Sequence, residues 1–215
     1  MSDASGAARG EVTSADRWQA LWKRLGGSGP LERWHEVLSA CYAAPGRHYH
    51  TLEHIAACLT LFDEWRLVAQ RPDEVELALW THDVIWEPLA SDSELLSAAW
   101  TRQVGVIAGV DEAILRRVGD LILATTHAGL ADGGDAALVQ DIDLAILGAD
   151  PARFQAYEAA ITAEYASVPP TAFRTGRARV LQQFLARPAI YRTIAGRIRF
   201  EAAARQNLAQ ALTRL

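Results

Sequence analysis

Lysine is almost missing from this chain. Lys23 stands alone among 21 basic residues, so nearly every cation is an arginine and an arginine cluster carries less information than in a balanced sequence. Cysteine is scarce as well. Cys41 and Cys58 fall in helical patterns with no C-x-x-C pairing, which excludes a disulfide scaffold and fits reduced, buried thiols. No apolar run approaches the roughly 18 to 20 uncharged residues of a membrane span. The N-terminal MSDASGAARGE lacks the apolar core of a signal peptide, so a cytoplasmic protein with no membrane partner is expected. A net charge of −5 and a pI near 5.7 argue against duplex nucleic acid, whose binding depends on a basic face, and leave a small molecule as the expected partner. Nucleotide loops are missing too: Gly26-Gly27-Ser28-Gly29-Pro30 is followed by no lysine, and no Gly-x-Ser-x-Gly elbow occurs.

Alternating strand patterns are nearly absent, whereas apolar residues recur at spacings of three and four with cap signals between segments. The expected fold is all-α. Ser14 precedes a helix carrying Trp18, Leu21 and Trp22 that Gly26-Gly27 ends, and Pro30 opens a second with Leu31, Trp34 and Leu38; the two make an N-terminal hairpin. Further helices are expected over 51–68, 74–83, from a capping box at Ser91-x-x-Glu94 to about 108, from Asp111 to 125, and over 136–147, 151–167, 171–187 and 190–213. A single domain over 1–215 follows, with residues 1–12 as a mobile tail.

Chemistry-bearing residues gather in three islands. His48, His50 and His54 fall within seven residues, and the spacing of His50 and His54 lets both face one side of a helix start. His82-Asp83 closes the most apolar helix, where a carboxylate requires a cation or several donors. Asp141 and Asp143 sit in a third apolar stretch. A divalent metal accepts imidazole nitrogen and carboxylate oxygen together, and His54, His82, Asp83 and one of the two aspartates would make such a set. Singly, each has a plain structural reading as a core histidine, a cap or an ion-pair partner.

The order His54, His82-Asp83, Asp143 resembles the H…HD…D signature of the HD-domain superfamily of metal-dependent phosphohydrolases. More closely, Tyr49 to His54, Thr81 to Trp86, Ser91 to Ala98 and Asp141 to Gly148 resemble a bacterial group of predicted HD phosphohydrolases of similar length, a likeness that spans most of 30–195. The resemblance implies a helical bundle of the HD-domain type, with the C-terminal helices packed around the hairpin. It also implies hydrolysis of a phosphoester or phosphoanhydride in a small phosphorylated molecule, such as a nucleotide, with one or two divalent ions (Mn, Mg, Ni, Co, Zn or Fe). Asp143 is then the ligand, with Asp141 supporting from outside the set. The Tyr49-His50-x-x-x-His54 piece is also similar to cyclic-nucleotide phosphodiesterases, which gives His50 the role of proton donor and His54 that of metal ligand.

On that reading Asp83 ligates one metal or bridges two, Glu53 or a substrate phosphate favours the charged form of His50, and Arg47 clamps a phosphate unless it is a solvated loop residue. Glu94 orients water or completes its capping box. His127 lines the pocket or caps a helix, Arg174 and Arg177 meet substrate charge or face solvent, and Trp86 stacks on a base or belongs to the core. Two rival functions remain: a non-catalytic metal- or nucleotide-binding module, and a di-iron oxygenase, for which the histidines between Asp83 and Asp143 are too few.

Overall fold

A computed structural model describes residues 11–126 and 133–215. Among them are ten α-helices and no strand: α1 Ala15–Arg24, α2 Leu31–Tyr42, α3 Leu52–Trp65, α4 Pro72–Thr81, α5 Ser93–Ala108, α6 Glu112–Ala124, α7 Gly134–Asp143, α8 Pro151–Glu164, α9 Pro170–Ala186 and α10 Ile194–Leu212. Short 3-10 turns extend α3 over Arg66–Val68 and α7 over Leu144–Gly148. No helix of the described residues is long and apolar enough to cross a membrane.

The starts follow capping chemistry. Ser14, Thr51, Asp111, Asp150 and Thr193 each accept a backbone N–H from the first turn of the helix that follows, satisfying a donor the helix cannot. Pro72, Pro151 and Pro170 occupy the first helical turn, where a missing N–H does no harm. Buried side chains from Trp18 to Ala211 form one continuous core around α4, which packs on α1, α3, α5, α6 and α7. Trp18 meets Trp22 and Trp80 edge-on at 5.3 and 5.4 Å, tying the N-terminal hairpin to α4.

Every residue of α4 from Glu74 to Thr81 is buried, including two carboxylates. Each is neutralised by arginine. Arg117 grips Glu74 with two hydrogen bonds of 2.6 and 2.8 Å, and Arg17, Arg24 and Arg66 converge on Glu76 at 2.8, 3.0 and 2.6 Å. A buried carboxylate holding three guanidinium groups leaves uncompensated charge when removed. Because those arginines reach solvent, Glu76→Gln is expected to lower unfolding free energy by about 2 kcal/mol, and urea denaturation at neutral pH checks this.

The structure departs from the sequence reading in four places. The capping box at Ser91 is not formed: α5 starts at Ser93 after Asp92, with no side-chain cap, so Glu94 is released from that duty. The final helix starts at 194 rather than 190, because carboxylates hold the preceding backbone extended. Glu201 accepts from the N–H groups of Ile190 and Tyr191, and Asp141 from those of Arg192 and Thr193. Gly196 allows that approach, since a Cβ there would overlap the Asp141 carboxylate. α4 begins at Pro72, two residues early. Of the expected tail, residues 1–10 lie outside the described ones, while Val12 packs on the core.

Candidate metal centre

Three helix ends bring the candidate ligands together. His54 lies in the first turn of α3, His82 caps the C-terminus of α4 with Asp83 next to it, and Asp143 is the last residue of α7. His54 Nε2 is 3.2 Å from His82 Nε2 and 3.1 Å from Asp143 Oδ1; His82 Nε2 is 3.4 Å from Asp143 Oδ1 and 3.1 Å from Asp83 Oδ2. Asp83 Oδ2 is 3.6 Å from His54 Nε2. Metal–ligand bonds of about 2.0 to 2.2 Å put atoms of one coordination shell about 3.0 to 3.5 Å apart, the range seen among His54, His82 and Asp143. His54, His82 and Asp143 thus form a group that could hold a metal ion.

The tautomer of His82 is fixed by its neighbours. Its Nδ1 lies 3.1 Å from the Leu79 carbonyl, which can only accept, so Nδ1 carries a proton in either charge state and Nε2 is the nitrogen turned to the group. Carboxylates beside two imidazoles favour a positive charge among them, carried by a ring proton or by a metal ion. Burial alone would lower the His82 pKa, yet Asp83 and Asp143 hold it well above the usual histidine range. Burial likewise pushes the Asp83 carboxyl up, and His82, His50 and His54 outweigh it to leave the group below its ordinary value. Cys58, one turn along α3 from His54, is buried, with its thiol pushed up by burial; Cys41 is half-buried, and both thiols are free.

His50 does not share the helix with His54. It precedes the Thr51 cap, and its position comes from a residue that no local motif announced, Glu164 at the end of α8. Glu164 Oε1 accepts the N–H groups of His48, Tyr49 and His50 at 2.8 to 2.9 Å, while Oε2 takes His50 Nδ1 at 2.7 Å. Glu164, not Glu53, is therefore the carboxylate on His50, and it leaves Nε2 for the neighbouring chamber. Trp86 stacks on the other side, rings 4.5 Å apart at 21°, so Trp86 braces His50. Burial alone would raise the Glu164 pKa; the hydrogen bonds from His50 and the backbone hold it below its ordinary 4.5 instead. A depressed carboxylate stabilises the fold above its unfolded pKa and loses that contribution as pH falls through the folded value. Glu164→Gln is thus expected to destabilise by about 2 kcal/mol at pH 7, a deficit that should shrink when urea denaturation is repeated at successively lower pH below 4.5.

Other sequence candidates separate cleanly. Arg47 does not clamp an anion: its guanidinium donates to the carbonyls of His50, Asp83 and Val84 at 3.2, 2.7 and 3.0 Å, tying the His50 turn to the His82-Asp83 turn. Asp141 is fully buried and accepts from Arg192, Thr193 and the Thr193 hydroxyl, so it anchors the approach to α10 and not the metal group. Glu94 and Arg177 line the chamber beside His50 and Asp83, but Arg177 is engaged by Glu158 and by the Tyr157 hydroxyl at 3.0 Å. Arg174 is exposed, and His127 lies outside the described residues.

No family model, curated protein or solved structure matches this chain. The site must be judged on its own geometry.

Proposed function

We propose that the protein is a metal-dependent phosphohydrolase acting on a small phosphorylated molecule, with a divalent ion held by His54, His82, Asp83 and Asp143. The observation that carries this reading is the cluster of His54 Nε2, His82 Nε2 and Asp143 Oδ1 within 3.1 to 3.4 Å of one another, with Asp83 Oδ2 at 3.1 and 3.6 Å from the two imidazoles, beside a histidine that is not among them. Four protein ligands leave positions for water and substrate on an ion that prefers six, and the order of the ligands is the one in which the chain resembles the HD superfamily.

Held by these residues, a divalent ion would lower the pKa of a bound water towards about 7 and withdraw charge from phosphoryl oxygens. The chain supplies the rest. His50 gives a proton to the departing oxygen from Nε2, Glu164 keeps the ring oriented, and Trp86 fixes its plane. Arg47 keeps the two turns in register.

The test loads the purified protein separately with Mn, Mg, Ni, Co, Zn and Fe and assays phosphomonoesters, cyclic nucleotides, other phosphodiesters and nucleoside triphosphates. Hydrolysis that a chelator abolishes and added metal restores is the expected result. Stoichiometric metal with no turnover on any of these would reduce the site to a binding module, and failure to retain any metal would remove it.

A further inference from the structure

This inference names a substrate class for the proposed phosphohydrolase and rests on that reading. The candidate ligands face two spaces of unequal size. His54 and Asp143 border a groove of about 950 Å³ between α3, α8 and the 3-10 turn after α7, whereas Asp83 and Asp143, with His50 and Trp86, border a chamber of about 190 Å³. Tyr49, Ile146 and Tyr157 border both, and the Tyr49 ring lies 4.6 Å from Tyr157 and 4.7 Å from His54, so these side chains divide the two.

Size assigns each space a role. The chamber has the volume of roughly six waters at ~30 Å³ each, enough for one small group. The groove falls in the range of roughly 300 to 1,000 Å³ that encloses whole organic ligands. Its walls are low, with Ala57 on α3 facing Ala156 and Ala160 on α8. Asp83, Glu94 and Asp143 border the chamber, where Glu164 holds His50 and Glu158 holds Arg177. Carboxylates border the groove as well, Glu53, Glu64, Asp143 and Asp150, together with Arg153 and with Arg199, which pairs with Glu64.

We infer that the substrate is a phosphodiester, its bulkier substituent lying in the groove between α3 and α8 and its smaller, departing substituent in the chamber beside His50. A phosphomonoester has one organic substituent, which would leave one space unused. A diester carries a substituent on each side of phosphorus and a single negative charge. In the hydrolysis, the oxygen of water bonds to phosphorus and the bond to the chamber substituent breaks. The electron pair leaves with that oxygen, His50 protonates it, and the proton lost by the water restores His50. The products are an alcohol and a monoester retained in the groove.

Three esters with one leaving group test this on the metal-loaded protein: p-nitrophenyl phosphate, methyl p-nitrophenyl phosphate and thymidine 5′-(p-nitrophenyl phosphate). We expect kcat/KM to rise at least about tenfold at each step in that order. Ala156→Trp, which narrows the groove, should keep its metal, erase the preference for the thymidine ester over the methyl ester, and weaken calorimetric binding of thymidine 5′-phosphate about tenfold. Ala159→Trp, exposed on the same helix outside the groove, should change neither and so controls for folding. The monoester preferred, equal rates for the two diesters, or a preference that survives Ala156→Trp would each overturn the inference and leave the phosphohydrolase reading standing. Bound metal with no hydrolysis of any of the three overturns the inference, and the phosphohydrolase reading falls with it only if cyclic nucleotides and nucleoside triphosphates are untouched as well.

Discussion

His82→Ala is expected to leave purified protein with less than about a tenth of the wild-type metal content. The substitution deletes the Nε2 that the Leu79 hydrogen bond turns towards His54 and Asp143. Loss of a residue that merely orients a ligand costs about 10- to 100-fold in affinity, and loss of the ligand itself costs more. The paired aspartates sharpen the test. Asp143→Ala should lose metal in the same way, because its Oδ1 lies 3.1 and 3.4 Å from the two Nε2 atoms. Asp141→Asn should keep the metal and lose stability by about 2 kcal/mol, because its carboxylate serves two backbone N–H groups and a hydroxyl before α10. Elemental analysis of folded protein decides this. Equal metal in wild type and His82→Ala would eliminate the site, and metal loss confined to the Asp141 variant would reverse the assignment of the two aspartates.

His50→Ala should retain metal and lower turnover by about 100-fold, the ordinary size of a lost general acid. The geometry separates His50 from the ligands: its Nδ1 is spent on Glu164 at 2.7 Å and its ring is stacked on Trp86. The loss should shrink for a p-nitrophenolate leaving group, which departs without a proton, and persist for an alkoxide. Measuring both on one metal-loaded variant tests the role directly. Equal impairment on the two leaving groups would make His50 a structural residue, and a variant without metal would make it a ligand.

Some of this protein was legible in the order of its residues. Helical periodicity, the caps at Ser14 and Asp111 and the prolines before α8 and α9 place elements because such signals act within one turn of backbone. Unusual chemistry was also visible, since histidines and aspartates inside apolar stretches require an explanation wherever the chain carries them. Spacing misled where a distant group decided the outcome. Ser91-x-x-Glu94 has the form of a capping box, yet α5 starts two residues later, at Ser93. Arg47 has the form of an anion clamp, yet three carbonyls from two turns occupy it.

What the sequence by itself determined is the helical class and the set of residues able to bind a metal, because both depend on residue type and short-range pattern. Only the tertiary structure decided which of them meet. Glu164 reaches His50 across 114 positions, Asp141 is taken by the turn before α10 while Asp143 faces the histidines, and groove and chamber exist only once α8 and α9 have packed. Hydrogen bonds and cavities of this kind join groups far apart along the chain, and a pattern read over one or two turns carries no record of them.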